Sequence, residues 1–209
     1  MKTLLRIDTS PRFENSHTRT LADYFQNKWL KVNPEGKIIS RDLTKTPVPH
    51  IKNETIEGFH LTKEQETEDS KKATEISDKL ISEILAADDV MIASPLYNFN
   101  VPSSLKSYID HVCRAGHTFS ITSEGYIGLL NNRRAYILTA KGGSYSGTPL
   151  EEMDFQEPYL KTIFSFLKFD STELISLEGT AEGKEVLERN LEKVHKQIDQ
   201  LDLKGNNNE

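Results

Sequence analysis

Short apolar runs alternate with longer amphipathic stretches along most of this 209-residue chain, and no other feature limits its fold more. A short apolar run is typical of a buried strand, whereas apolar side chains spaced by three or four residues predict a helix. Residues 16–31 have helical spacing, with Leu21, Phe25 and Trp29 at intervals of four. Strands that alternate with helices imply right-handed crossovers and therefore a parallel sheet.

The alternation predicts five strands, separated and followed by helices. The predicted strands are residues 3–7, 37–43, 89–94, 134–140 and 174–177. The predicted helices are residues 16–31, 63–87, 103–115, 159–167 and 183–201, and residues 44–60 are predicted to be irregular. We therefore expect a doubly wound α/β fold, a five-stranded parallel sheet of order 2-1-3-4-5 with helices on both faces.

Length and composition favour one soluble domain, which we assign to residues 1–203, with residues 204–209 as a frayed tail. The formal net charge of -6 argues against a nucleic-acid partner. No apolar stretch approaches the roughly 18 residues that a membrane span requires. Cys113 is the single cysteine, so an intrachain disulfide is excluded and a reducing, cytoplasmic compartment is expected.

The most unusual segment, Pro95-Leu96-Tyr97-Asn98-Phe99, follows the third predicted strand. In open parallel sheets, ligands bind beyond the carboxyl ends of the strands. Aromatic side chains around an amide suit a flat heteroaromatic ring, which needs stacking surface and a few hydrogen bonds at its edge. Taken singly, Tyr97 and Phe99 are more often packing residues, but a buried Asn98 would need partners. We therefore expect a flavin at this loop.

Hydroxyl side chains at Ser10, Ser16 and Thr18 stand in the loop after the first predicted strand, at the start of a helix. Free amides and the positive end of the helix dipole, together with hydroxyl donors, bind a phosphate. The chain has neither GxxxxGK[ST] nor GxGxxG, which argues against a nucleoside triphosphate and a dinucleotide. Ser16 alone is equally well explained as a helix cap. The whole cluster favours a mononucleotide such as FMN.

The third loop begins with Ala140-Lys141-Gly142-Gly143, after the fourth predicted strand. Adjacent glycines allow backbone amides to approach the edge of a ring closely. Amides and a lysine there would stabilise negative charge on the pyrimidine end of a reduced flavin. An ordinary glycine turn is the alternative.

Other reaction classes lack their residue patterns. The six histidines show no HExxH spacing, and we expect no metal site. Residues 143–147 lack the GxSxG spacing of a hydrolase nucleophile. His17 is expected to contribute its backbone amide at the start of a helix and not its imidazole.

In these three loops, the chain resembles the FMN-dependent NADH:quinone oxidoreductases known as azoreductases, in the flavodoxin-like superfamily. The matching segments are Ser10-Pro11-Arg12 with Ser16-His17-Thr18, Pro95 to Phe99 with Val101-Pro102, Leu105 to Val112 with Arg114 to Phe119, and Lys141-Gly142-Gly143. The resemblance implies a flavodoxin-like fold and a homodimer with one non-covalent FMN per subunit.

The resemblance also implies a role for each segment. The residues implied at FMN are Ser10, Ser16, His17 and Thr18 for the phosphate and ribityl end, Pro95, Leu96, Tyr97, Asn98 and Phe99 along the isoalloxazine ring, and Ala140, Lys141, Gly142 and Gly143 at its polar edge. Phe99 and Phe119, with a second-subunit aromatic such as Phe164 or Phe166, are candidates for the substrate slot. At least two of Phe164, Phe166 and Phe169 are expected in a helix core instead.

The implied activity transfers two electrons from NAD(P)H, by ping-pong hydride transfer through flavin N5, to quinones and aromatic azo compounds. NADH is the expected donor. No catalytic side chain is assigned, because the cofactor carries the chemistry. The alternative is a non-enzymatic flavodoxin-like electron carrier or regulatory flavin-binding protein. The long segments 44–70 and 116–133 favour an enzyme, since extra loops can build a dimer and a covered pocket.

Overall fold

A five-stranded parallel sheet forms the centre of the structure, a computed structural model that describes residues 1–204. Its strands are β1 (Thr3–Asp8), β2 (Lys37–Asp42), β3 (Asp89–Pro95), β6 (Arg134–Ala140) and β7 (Ser171–Leu177). They lie in the order β2-β1-β3-β6-β7, and every neighbouring pair is parallel. Numbered along the chain, this is the order 2-1-3-4-5. The predicted doubly wound, flavodoxin-like α/β sheet is confirmed.

Helices cover both faces of the sheet. They are α1 (His17–Val32), α2 (Asn53–Phe59), α3 (Glu68–Leu85), α4 (Ser103–Val112), α5 (Gln156–Phe166) and α6 (Lys184–Gln200). Successive strand residues point to opposite faces, so Leu5 and Ile7 pack against α3, α4 and α5, while Leu4 packs against α1 and α6. Both apolar faces of the sheet are therefore buried, as the continuous apolar strands predicted. No helix within residues 1–204 is long and apolar enough to cross a membrane.

The predicted irregular segment 44–60 contains a helix, α2, so this prediction is wrong at residues 53–59. Lys52 precedes α2 and gives it no side-chain cap. Gly58 lies against α3 so closely that a Cβ there would stand 2.7 Å from Thr74 Cγ2. The helix depends on this tertiary packing, which local sequence does not reveal.

A short antiparallel hairpin, β4 (Phe119–Thr122) and β5 (Gly125–Gly128), was not predicted. Its exposed apolar residues include Ile121 and Tyr126. Gly128 anchors the hairpin, because a Cβ there would meet the Leu167 backbone at 2.4 Å. Only glycine permits this close approach at the end of α5.

Several predicted boundaries move by a few residues. Helix α3 begins at Glu68 instead of residue 63, because Thr67 and Ser70 form a capping box. Helix α5 begins at Gln156 instead of residue 159, where the Asp154 carboxylate accepts the Gln156 amide. Residues 205–209 of the predicted tail lie outside the described residues.

Candidate functional site

Three hydroxyl groups cluster between the end of β1 and the start of α1. Ser16 Oγ lies 3.0 Å from Ser10 Oγ and 3.3 Å from Thr18 Oγ1, and all three residues are buried. Buried hydroxyls normally find hydrogen-bond partners, and here they find one another. The cluster brings together three of the residues predicted to hold a phosphate.

Arg19 fixes this loop to β2. Its guanidinium donates to the Ser10 carbonyl at 2.7 Å and pairs with the Asp42 carboxylate, also at 2.7 Å. Burial alone would raise the pKa of Asp42, but hydrogen bonds from Arg19 and Thr44 outweigh burial and hold that pKa far below its ordinary value. Arg19 was not predicted as a site residue, and a lone arginine inside a helix carries no motif that would have revealed it.

The first amides of α1 face this hydroxyl cluster. Ser16 is the helix cap, and its oxygen accepts the Arg19 amide at 3.5 Å. The amides of His17 and Thr18 have no acceptor among the described residues. Partial burial, with the nearby Arg12, lowers the pKa of the His17 imidazole. The capping interpretation of Ser16 is confirmed, and two further donors are left for an anion at the positive end of the helix.

Tyr97 to Asn100 form a tight turn after β3. The backbone amides and carbonyls of Tyr97 and Asn100 exchange two hydrogen bonds of 3.0 Å. Asn98 and Phe99 between them have φ values of 48° and 69°, which is the left-handed pattern of a type I′ turn. Asparagine tolerates this conformation, whereas phenylalanine rarely adopts it. Strain of this kind, on the order of 1–3 kcal/mol, is concentrated at functional sites.

Asn98 is exposed, so the argument that a buried amide there needs a partner is wrong. The left-handed backbone is a sufficient reason for asparagine at this position. The aromatic neighbours are also open to a ligand, since Tyr97 is 38% exposed and Phe99 is 40% exposed. The interpretation of both rings as ordinary core residues is thereby excluded.

The turn is held firmly on both sides. The Leu96 amide donates to the Ala140 carbonyl at 2.9 Å, and the Phe155 amide donates to the Phe99 carbonyl at 3.0 Å. The buried Gln156 side chain donates to the Pro95 carbonyl at 2.8 Å. The exposed rings therefore stand on a rigid base.

A groove of about 700 Å³ opens between this turn and the loop after β1. Thr9 and Pro11 line one side of the groove, and Tyr97 and Asn98 line the other. The carboxyl ends of β1 and β3 are neighbours in the sheet, so the two loops meet at one edge. Ligands bind at such an edge in folds of this kind.

The loop after β6 presents two free amides. The carbonyls of Lys141, Gly142 and Gly143 accept amides from the loop after β7, but the amides of Gly142 and Gly143 have no acceptor within residues 1–204. A Cβ at either glycine would meet its nearest neighbour only at 3.8 Å, and neither glycine has a positive φ. Within the described residues, neither packing nor a positive φ requires glycine at these two positions.

The Lys141 side chain does not point to this edge, which corrects the expected source of positive charge. Its ammonium is 1% exposed and lies 2.5 Å from Asp154, 2.6 Å from Glu157 and 3.2 Å from Glu178. Burial would lower the pKa of Lys141, but these carboxylates outweigh burial and raise it. A buried ammonium among three carboxylates offers no positive charge to a flavin. The carboxylates were missed, since no motif connects positions so far apart.

Phe99 and Phe119 are not brought together within one chain. Helix α4 runs away from the carboxyl ends of the strands, and Thr118 donates to the carbonyl of Val112, the last residue of α4. Phe119 therefore lies near the opposite edge of the sheet, where its ring packs 4.9 Å from that of Phe166. The two phenylalanines can line one slot only if two copies of the chain meet.

Two of the phenylalanines at positions 164, 166 and 169 are core residues as expected, although Phe169 lies just after helix α5 and not within it. Phe164 and Phe169 are buried and pack edge to face with ring centres 4.8 Å apart. Phe166 is only partly buried and covers Phe119. Phe164 and Phe169 are therefore core residues.

The donor groups at this edge fit FMN. Hydroxyls and amides near α1 suit a phosphate, the exposed rings after β3 suit a flat ring system, and the glycine amides suit its polar edge. The roles of the individual residues towards a cofactor remain predictions.

Comparisons with known proteins identify the family to which the chain belongs. A family model described as a flavodoxin-like fold matches residues 1–201. The chain is 44% identical over 184 residues to an FMN-dependent NADH:quinone oxidoreductase of Marinomonas sp. (strain MWYL1), covering 88% of this chain and 91% of the relative. It is 39% identical to the protein of that name from Azotobacter vinelandii (strain DJ / ATCC BAA-1303), covering 96% of this chain and 100% of the relative.

Solved structures of similar proteins have the same fold. The FMN-dependent NADH-azoreductase from Bacillus anthracis str. Ames Ancestor, solved in complex with FMN, superimposes with a TM-score of 0.85 at 27% identity. That similarity covers 96% of this chain and 99% of the other. On the family model and the two relatives, the chain belongs to the flavodoxin-like fold family and, within it, to the FMN-dependent NADH:quinone oxidoreductases.

Proposed function

We propose that residues 1–203 form one FMN-binding domain, an oxidoreductase that passes two electrons from NADH to quinones. The observation that carries this proposal is the presence of unused donors at two places along one sheet edge. The amides of His17 and Thr18 stand beside three buried hydroxyls, and the amides of Gly142 and Gly143 stand free on the loop after β6. A phosphate joined to a ring with a polar edge has the acceptors that both places need.

Each segment would hold one part of the cofactor. Ser10, Ser16 and Thr18, with the first amides of α1, would bind the phosphate. The stretch from Pro95 to Phe99 would lie along the ring, and Ala140 to Gly143 would meet its polar edge. The positive end of a helix and the flat faces of the exposed aromatics are the physical reasons for this assignment.

When bound, FMN supplies a two-electron carrier, so that NADH, a proton and a quinone become NAD⁺ and a hydroquinone. The chain's own residues orient the ring and keep water from its face through Tyr97 and Phe99. The glycine amides donate to the ring edge, where added negative charge is stabilised by fixed donors. No side chain of the chain is assigned a proton transfer.

Quinones and aromatic azo compounds are the proposed acceptors. Both are flat and electron-poor, and a hydrophobic slot discriminates poorly between such molecules. Donor and acceptor would use the same ring face in turn, which gives ping-pong kinetics. Either NADH or NADPH can act as donor in this scheme, and NADH is the one that the relatives' names carry.

A homodimer would complete the slot. Phe119 stands far from Phe99 in one chain, and the hairpin around it exposes Ile121 (66%) and Tyr126 (68%). Burying these side chains against a second copy would bring Phe119 of the partner subunit to the flavin edge. We place the enzyme in the cytoplasm, where the single thiol of Cys113 would stay reduced.

Anaerobic reduction tests the proposal. The purified protein is saturated with FMN, freed of unbound cofactor and mixed with NADH without oxygen. Bleaching of the flavin absorbance, followed by its return on adding a quinone, is the expected result. Parallel double-reciprocal plots would support ping-pong kinetics, and a parallel assay with an azo dye tests the second acceptor. Bound FMN that NADH cannot reduce would leave a non-enzymatic flavin carrier and contradict the proposed activity.

A further inference from the structure

The loop after β7 sets the direction of the glycine amides. The carbonyls of Lys141, Gly142 and Gly143 accept the amides of Thr180, Ala181 and Gly179 at 2.9–3.1 Å. In a trans peptide unit the carbonyl and the following amide point in opposite directions. The amides of Gly142 and Gly143 therefore point away from the β7 loop, to the side of β6 where β3 lies.

The next amide, that of Ser144, donates to Glu182 of that loop at 2.6 Å, and Glu178, at the start of the loop, accepts the two amides after it. Its Oε2 accepts the Tyr145 amide at 2.7 Å and the Ser146 amide at 3.0 Å, and its Oε1 accepts the Ser146 hydroxyl at 3.0 Å. Burial would raise the pKa of Glu178, but these hydrogen bonds and Lys141 outweigh burial and lower it. Glu178 thus fixes the far end of the glycine loop, beyond Ser144, which Glu182 holds.

Lys141 in turn fixes Glu178. Its ammonium lies 3.2 Å from Glu178 and also contacts Asp154 and Glu157 at the start of α5. The Asp154 carboxylate accepts the amides of Gln156 and Glu157. The loop after β6, the loop after β7 and the start of α5 are therefore joined through one buried ionic network.

We propose that Glu178 is a positioning residue which, held by Lys141, aims the free amides of Gly142 and Gly143 at the polar edge of the flavin. This inference rests on the proposed FMN site and adds to it a residue outside the three predicted loops. Fixed amide donors favour the electron-rich reduced cofactor over the oxidised one. Loss of their alignment therefore weakens FMN binding and also makes the midpoint potential of bound FMN more negative.

Two substitutions at this position separate positioning from simple stability. Glu178→Gln keeps the size of the side chain, but one of its two terminal atoms can no longer accept a hydrogen bond. Glu178→Asp keeps the charge beside Lys141 and draws the carboxylate back from the Tyr145 and Ser146 amides. Glu188→Gln is the matched control, because Glu188 is an exposed residue of α6.

The measurements are the FMN dissociation constant by fluorescence quenching, the midpoint potential of bound FMN, and the melting temperature of the apoprotein. Glu178→Gln is expected to bind FMN about tenfold more weakly and to shift the potential to more negative values, at temperatures well below its melting. Glu178→Asp is expected to show a smaller shift of the same sign and to melt close to the unsubstituted protein. If Glu178→Gln does not fold, the FMN affinity and the midpoint potential of Glu178→Asp test the positioning role instead.

Unchanged affinity and potential in both Glu178 variants would overturn the positioning role while leaving the FMN site intact. A fall in melting temperature with no change in affinity or potential would reduce Glu178 to a structural residue and overturn it equally. Failure of the unsubstituted protein to bind FMN would overturn the proposed function, and the positioning role with it.

Discussion

The backbone of Tyr97 pairs with that of Asn100 through two hydrogen bonds of 3.0 Å, which close a turn of left-handed residues at the edge of the sheet. The sequence at the centre of this turn is Asn98-Phe99, without the glycine that such turns usually carry. The conformation therefore depends on its anchors at Ala140 and Phe155. A strained turn that is held from both sides keeps the exposed rings of Tyr97 and Phe99 in fixed positions.

Substitution of Asn98 separates its backbone role from its amide. Asn98→Ala is expected to destabilise the protein by about 1 kcal/mol, because alanine resists the left-handed region, and to loosen FMN or lower turnover. Asn98→Gly is expected to retain stability. Urea unfolding and FMN titration check both variants, with Glu188→Ala as an exposed control.

If Asn98→Gly binds FMN like the unsubstituted protein, the asparagine acts through the shape of the turn. If both variants lose affinity equally, its amide contacts the ring. If Asn98→Ala, like Glu188→Ala, changes neither FMN affinity nor turnover, the placement of the flavin is contradicted.

Removal of Asp89 should affect stability without affecting the cofactor edge. Its fully buried carboxylate accepts the Trp29 indole at 2.7 Å and pairs with Arg134 at 2.8 Å, at the opposite end of the strands. Asp89→Ala removes the acceptor of the buried Trp29 indole and the carboxylate partner of the half-buried Arg134 guanidinium, which costs about 2 kcal/mol or more. Urea unfolding measures the loss. An unchanged FMN dissociation constant in the folded variant is expected, and a large change would show that the two edges are coupled.

Acid should weaken the contribution of Asp42. Its pKa is held below the unfolded value, so its stabilising effect is fully present above about pH 4 and is lost as the pH falls further. The gap in unfolding free energy between the unsubstituted protein and Asp42→Asn is therefore expected to narrow between pH 6 and pH 3. Urea titrations at several pH values measure this gap. A gap that stays constant would mean that folding, with its pairing to Arg19, does not lower the pKa of Asp42.

Cys113 should be inert in the native protein. Burial, with a smaller effect of the nearby Asp110, raises the pKa of its thiol to about 12. The reactive thiolate is therefore scarce at pH 8. An aromatic disulfide reagent is expected to label Cys113 slowly in buffer and rapidly in urea. Equal rates in both solutions would show that the thiol is accessible in the folded state.

The sheet and the three loops at the carboxyl ends of its strands could be predicted because they depend on local patterns. Apolar runs marked each sheet strand, and the ends of those strands located the hydroxyl, aromatic and glycine segments. Helix α2 and the β4–β5 hairpin were missed because tertiary contacts hold them, at Gly58 and Gly128 respectively.

The chemistry of Lys141 could not be predicted from its neighbours in sequence. Its partners Asp154 and Glu178 are 13 and 37 residues away, and only the folded sheet brings them to the same ammonium. A lysine beside two glycines suggested an exposed cation, whereas its side chain turns inward. Charge placement in a site therefore needs the structure, even where the loop itself is evident.

Titration of the apoprotein with FMN and, separately, with riboflavin tests the cofactor edge most directly. The amides of His17 and Thr18 and the three hydroxyls beside them should bind the phosphate, which riboflavin lacks. We expect one FMN per chain, with quenched fluorescence, and binding of riboflavin that is at least about tenfold weaker. Equal affinity for both compounds, or no binding of FMN by the folded protein, would contradict the site described for this edge.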